Sequence, residues 1–179
     1  MNLRKYEDSD ASTILSWIDS ERAFRLWSAD RYGEYPIKPE DISLNYKECE
    51  EAGNFYPMTL TDDDKIIGHL ILRNPGQDKN TIRLGFIIVD SKIRGKGYGK
   101  ALINLAIKYA REELKATEIN LGVFKNNESA YRCYSSVGFN EVGIEKDAYN
   151  FNGESWDCVE MKLNNKWHAR RRSQLHILV

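Results

Sequence analysis

The stretch Asp90-Ser91-Lys92-Ile93-Arg94-Gly95-Lys96-Gly97-Tyr98-Gly99-Lys100 decides how this chain folds. Ahead of it, residues 81–89 are nearly continuous in apolar side chains, which predicts a strand buried on both faces. Behind it, Leu102, Leu105, Ala106 and Tyr109 share one face of a helix. A strand passing through a glycine-rich turn into a helix exposes successive backbone amides, and glycine lets that backbone approach an anion closely. Arg94, Lys96 and Lys100 add positive charge. Three glycines in a surface loop would mean little by themselves; the strand and helix on either side favour phosphate binding.

Two common phosphate fingerprints fail here. GxGxxG is missing in either register, because Gly95 and Gly97 lead to Lys100, and Gly97 and Gly99 lead to Leu102. GxxxxGK[ST] also fails: Gly99-Lys100 is followed by Ala101, and Arg94 stands where the first glycine belongs. A dinucleotide or nucleoside triphosphate is therefore a weak reading of the turn.

Downstream, residues 118–124 read as a strand, 127–137 as a short helix stopping at Gly138, and 141–149 and 155–163 as strands meeting at Asn152-Gly153. Upstream, residues 55–60 and 65–72 flank the hairpin turn Thr61-Asp62-Asp63-Asp64. The N-terminal part reads as helical at 11–19 and 21–29, where Ile14, Leu15, Ile18, Phe24 and Trp27 recur at three- and four-residue spacing. Tyr32-Gly33-Glu34-Tyr35-Pro36 interrupts that pattern, and a third helix at 38–51 has Pro39 near its start with Glu40 and Asp41 in its first turn. This order predicts a single mixed α/β sheet. Strands 81–89 and 118–124 are expected to be parallel neighbours joined by a right-handed helical crossover.

Composition sets the outer limits. With 179 residues, 41% hydrophobic and 30% charged, the chain is about one domain that can bury a core without disulfide or metal staples. A mean hydropathy of -0.59 and no long apolar run argue against a membrane span. Cys49, Cys133 and Cys158 form no CxxC pair, and His69, His168 and His176 show no metal-ligand spacing, so no metal site is expected and a reducing, cytoplasmic location is. The segment 166–179 carries Lys166, Arg170, Arg171 and Arg172 and no acid; removing these four charges from the net -1 leaves residues 1–165 at -5. A domain that acidic is a poor partner for nucleic acid. Residues 1–165 are expected to form the domain, with 166–179 a basic, solvated or disordered tail.

What survives in the glycine turn is Arg-x-x-Gly-x-Gly, as Arg94, Gly97 and Gly99. With Asn127-x-x-Ala130-x-x-x-Tyr134-x-x-x-Gly138-Phe139 one helix and one strand further on, the chain resembles the GNAT superfamily of N-acetyltransferases across about residues 66–163. The closing segment more loosely resembles the branch that acetylates ribosomal-protein N-termini and spermidine. The resemblance implies an acyl-CoA N-acyltransferase fold, a central mixed sheet of about seven strands flanked by helices. It also implies acetyl-CoA as cosubstrate, an amine as acceptor, no metal, and strand edges through which a homodimer could form.

Residue by residue, the resemblance implies that the backbone of Ile87, Ile88 and Val89 pairs with the pantetheine arm and supplies an oxyanion donor. It gives the pyrophosphate to the turn Arg94, Gly95, Lys96, Gly97, Tyr98, Gly99 and Lys100, with Asn127 and Ala130 contacting the cofactor at the start of the short helix. Tyr134 becomes the general acid to the CoA thiolate. The plainer roles are a helix cap for Asn127 and core packing for Tyr134. Some relatives carry a glutamate as general base five residues ahead of the motif asparagine; here that position is Gly122. His69, Glu34, Glu141 and Asp157 are the alternatives, and nothing in the sequence selects among them. Trp27, Tyr32, Tyr35, Tyr149 and Trp156 could line the acceptor pocket; their plainer role is core packing, the better reading for at least Trp27 on its helical stripe. Glu40, Asp41, Glu48, Glu50 and Glu51 could attract a cationic amine, although such a cluster is more often a solvated helix face. The alternative to catalysis is a silent CoA-binding sensor, against which retention of Tyr134 counts.

Overall fold

The computed structural model describes residues 1–76, 78 and 80–164. The basic tail expected at 166–179 lies outside the described residues. In chain order the elements are β1 (Asn2–Lys5), α1 (Asp10–Leu15), α2 (Glu21–Ser28), α3 (Pro39–Glu51), β2 (Phe55–Asp62), β3 (Lys65–Arg73) and β4 (Thr81–Val89). After a short 3-10 turn come α4 (Tyr98–Glu112), β5 (Glu118–Phe124), α5 (Glu128–Ser136), β6 (Phe139–Phe151) and β7 (Glu154–Leu163). The strands form one seven-stranded sheet in the order β1-β2-β3-β4-β5-β7-β6. Every neighbouring pair is antiparallel except β4 and β5, the two strands joined through α4.

Side chains alternate across a strand, so the sheet feeds two cores. On one face Leu102, Ile103 and Ala106 of α4 and Tyr134 of α5 pack on Leu70, Leu84, Leu121 and Met161. Leu102 and Ile103 are fully buried, each contributing roughly 2 kcal/mol. On the other face Phe24 of α2 and Ile42 and Tyr46 of α3 close over Phe55 and Ile71. The Asn-Gly turn at 152–153, with both residues at positive φ, joins β6 to β7 as the sequence predicts.

β1 was not among the strands read from the sequence. It lies at the sheet edge, paired in register with Thr61 to Met58 of β2, and Arg4 anchors it to α1. The guanidinium gives Asp10 two hydrogen bonds of 2.8 and 2.7 Å. Thr59 and the Glu7 amide also donate to the same carboxylate, at 2.6 and 3.1 Å. Burial alone would raise the Asp10 pKa, but the hydrogen bonds from Arg4, Thr59 and Glu7 outweigh it and hold it below the usual carboxylate range.

β4 departs from the expected strand buried on both faces. Ile82, Leu84 and Ile88 are buried, but Gly85, Phe86 and Ile87 are half-buried, because beyond Leu84 the strand separates from β5.

Candidate active site

β4 and β5 pair from Thr81↔Glu118 to Leu84↔Leu121 and no further. β5 continues beside β7, and β4 continues beside β3, so the two strands splay. The β3–β4 register jumps from Ile71↔Gly85 to His69↔Ile88, setting Phe86 and Ile87 opposite the single residue Leu70 as a β-bulge. Phe86 has φ +49, a conformation costing of order 1–3 kcal/mol for a residue with a Cβ. Two contacts from α2 hold it there. Trp27 Nε1 donates 2.9 Å to the Phe86 carbonyl, and the two rings lie 5.1 Å apart. A cavity of about 500 Å³ occupies the gap, between Gly85, Phe86 and Ile87 on one side and Gly122, Val123 and Phe124 on the other. Ile87, Ile88 and Val89 pair with no residue of β5, which leaves one backbone edge of β4 free.

At the far end of β4, Gly95 and Gly97 take φ +80 and +90, and Gly97 is the N-cap of α4. The first intrahelical bond runs from the Ala101 amide to the Gly97 carbonyl at 3.1 Å, so the amides of Tyr98, Gly99 and Lys100 remain at the helix start. Arg94, Lys96 and Lys100 are exposed there and have no ion-pair partner among the described residues. Gly99 has a packing reason: a Cβ would come within 3.3 Å of Cys133 Sγ on α5. The Tyr98 hydroxyl is engaged by Asp62 at 3.3 Å, so only its backbone is free to meet a ligand.

α5 carries the second motif. Asn127 caps it, accepting from the Ala130 amide at 3.4 Å, and also lines the cavity, so cap and ligand contact are compatible. Ala130 packs on the core and does not line the cavity. Tyr134 is 7% exposed and does line it. Its ring packs against Phe139, while its hydroxyl has no hydrogen-bond partner among the described residues. Burial pushes its pKa well above the ordinary value of 10, so the phenol holds its proton at neutral pH.

The absence of a carboxylate at Gly122 has a steric cause. Arg83 on β4 reaches across Gly122 to Glu160 on β7, with bonds of 2.6 and 2.7 Å, and also gives Asn120 one of 3.2 Å. A Cβ at Gly122 would sit 2.5 Å from Arg83 Nη2 and 3.2 Å from Glu160 Oε1. None of the four alternative bases lines this cavity. His69 is fully buried and bonded to the Tyr46 hydroxyl at 2.8 Å, and burial lowers its pKa to about 3. Asp157 is paired with Lys146 at 2.6 Å, Glu141 is 3.5 Å from the Tyr131 hydroxyl, and Glu34 is exposed.

Of the aromatic residues proposed for the acceptor pocket, Trp27 lines the cavity. Tyr32 and Tyr35 pack with Phe24 in the core under α2 and α3. Tyr149 and Trp156 do not line the cavity but pack against Phe124, which does. The acids of α3 do not line the cavity either. The lining instead includes Arg31, Arg73 and Arg83, which the sequence reading did not single out. Strand pairing sets Arg73 opposite Arg83, and Arg31 joins them from the segment after α2.

A model of the acetyltransferase (GNAT) family matches residues 20–139. The "Probable N-acetyltransferase YjcK" of Bacillus subtilis (strain 168) is 32% identical over 162 residues, 84% of this chain and 86% of the relative. Spermine/spermidine N(1)-acetyltransferase of the same organism is 28% identical over 120 residues, 64% of this chain and 76% of the relative. Among solved structures, spermidine N-acetyltransferase from Vibrio cholerae in complex with CoA and spermine has the same fold, with a TM-score of 0.79 at 22% identity, covering 94% of this chain and 97% of that one. With two thirds of its length matched by the family model and a relative alignable over most of both chains, this chain belongs to the acetyltransferase (GNAT) family, whose members take the acetyl group from acetyl-CoA.

Proposed function

We propose that the chain transfers the acetyl group of acetyl-CoA directly to a primary amine. The gap between β4 and β5 carries this reading: a free strand edge leads from the glycine turn to a buried phenol whose hydroxyl has no partner among the described residues. Acetyl-CoA fits these residues. The amides from Gly95 to Lys100, with the side chains of Arg94, Lys96 and Lys100, would hold the pyrophosphate. A Cβ built on Gly97 meets nothing within 4 Å, which leaves that space for a ligand. The backbone of Ile87, Ile88 and Val89 would take the pantetheine amides as an added strand, and Asn127 would contact the arm from the start of α5.

When bound, acetyl-CoA supplies an activated thioester. The bulge amides at Phe86 and Ile87 would stabilise charge developing on its carbonyl oxygen, at a position that Trp27 holds rigid. Tyr134 would give its proton to the departing sulfur, whose anion the same burial makes basic. With Gly122 in place of a carboxylate and Glu160 held by Arg83, the ammonium proton would leave through water in the open part of the cavity. The name of the Bacillus subtilis spermine/spermidine relative supports an amine acceptor.

Release of free CoA thiol from acetyl-CoA tests the reading. The panel is spermidine, an aminoglycoside, free amino acids and short peptides beginning with Ala or Ser. Turnover with any class supports the transferase. Failure to bind acetyl-CoA would sink it.

A further inference from the structure

We infer that the acceptor is a small amine that also carries a carboxylate, held by Arg73 and Arg31 on the face of the sheet opposite Tyr134. This rests on the acetyltransferase reading above and specifies its second substrate. Arg73 and Arg83 are direct cross-strand partners on β3 and β4, an arrangement in which like charges repel. Glu160 neutralises Arg83 through two short bonds. Arg73 is half-buried, and no acid pairs with it among the described residues. Burial, and after it the charges of Arg83 and Arg31, act to lower its pKa. A half-buried guanidinium beside two others is suited to pairing with an anion.

Arg31 extends that site toward the reacting centre. Its guanidinium lies 6.0 Å from the ring centre of Phe86, the bulge residue; the residue is exposed at the cavity mouth and has no ion-pair partner among the described residues. Among the described residues the only acid lining the cavity is Asp30, which is exposed.

These arginines are not a second part of the phosphate cradle. Arg83 and its partner Arg73 sit six strand positions before Val89, about 20 Å from where the glycine turn begins. From Arg73 to the bulge is about three positions, roughly 10 Å, much of which an arginine side chain spans. A carboxylate a few bonds from the amine would therefore meet Arg73 while the amine faced the bulge. A polyamine would bring its second positive charge onto the same guanidinium groups.

The test compares kcat/KM for amino acids, for the corresponding amines without the carboxylate, and for spermidine, alongside acetyl-CoA binding by calorimetry. The expected result is preference for a carboxylate-bearing amine. Arg73→Gln should lower kcat/KM for that acceptor about 10- to 100-fold relative to its neutral counterpart, the size of a charge-assisted hydrogen bond. Arg73→Lys should recover part of the loss, which separates lost charge from a misfolded cavity. Spermidine or neutral amines as the better acceptors, or an Arg73→Gln loss equal for both partners of a pair, would overturn the inference while leaving the transferase standing. Absence of acetyl-CoA binding would remove both.

Discussion

Replacing Tyr134 by Phe deletes one oxygen from the candidate active site and nothing else. The ring is 7% exposed and packed 6.4 Å from Phe139, contacts that phenylalanine keeps. The hydroxyl makes no hydrogen bond to the described residues, so no buried donor or acceptor is orphaned by its loss. Stability should therefore move by less than about 0.5 kcal/mol. If the phenol is the acid that protonates the departing sulfur, turnover should fall about 10²- to 10⁴-fold, or about 3–5 kcal/mol of barrier.

Three measurements check this together: kcat by thiol release, acetyl-CoA affinity by calorimetry, and thermal unfolding. The expected outcome is a large loss of kcat with affinity and melting temperature almost unchanged. The pH profile adds a further constraint. Burial raises the Tyr134 pKa above 10, so wild-type turnover should show no loss from phenol ionisation up to at least pH 10. Unchanged kcat in the variant would remove Tyr134 from the mechanism. A parallel loss of kcat and stability would reduce it to a packing residue.

Gly97→Val should abolish measurable acetyl-CoA binding in calorimetry, because a branched side chain at φ +90 would strain the turn and fill the space over its amides; normal affinity in a folded variant would refute the cradle. Gly122→Ala should destabilise by about 1–2 kcal/mol in denaturant titrations by displacing the partly exposed Arg83–Glu160 pair, and that penalty should shrink, though not vanish, in an Arg83→Met background, because Cys158 Sγ also lies 3.0 Å from the added Cβ. Equal costs in the two backgrounds would show that Arg83 is not what requires glycine. Asp10→Asn should cost about 3 kcal/mol at neutral pH, since a buried amide replaces the carboxylate that accepts two bonds from Arg4 and leaves that guanidinium only Glu7, 3.9 Å away, as an acid partner. The Asp10 pKa is depressed in the fold, so its contribution is complete above the ordinary carboxylate pKa and is lost as pH falls through the depressed value; Asn should flatten that acid limb.

The strand–turn–helix at the centre of the chain was legible because three local signals agree there: an apolar run, a glycine turn and a helical stripe. β1 was not. Its four residues, Asn-Leu-Arg-Lys, carry no run of β-formers, and they become a strand because β2 offers an edge and Asp10 holds Arg4. The bulge was equally hidden. Residues 84–89 read as one unbroken apolar strand, while the extra residue shows only when β4 is set beside β3. Motif spacing singles out Asn127 and Tyr134, which share one short helix and both line the cavity. It could not decide among candidate bases, whose relevance depends on which strand faces the gap. The acidic residues of α3, more simply read as a solvated helix face than as a draw for a cationic amine, lie outside the cavity.

Gly122 and the arginines belong to one arrangement. A carboxylate at 122 would face the cavity from β5, available both to take a proton and to neutralise Arg83. In this chain the neutralising carboxylate comes from one strand further away, on Glu160, and the guanidinium must cross β5 to reach it. That crossing requires a residue without a Cβ at 122. The result is a cavity wall from which the acidic group has been withdrawn, leaving Arg73 and Arg31 without acid partners among the described residues. On the proposed reading, the lack of a base at 122 and the anion site at Arg73 have a common structural cause. An acceptor whose own carboxylate enters that site would bring its amine up to the bulge, replacing part of what a protein base does by positioning the amine instead.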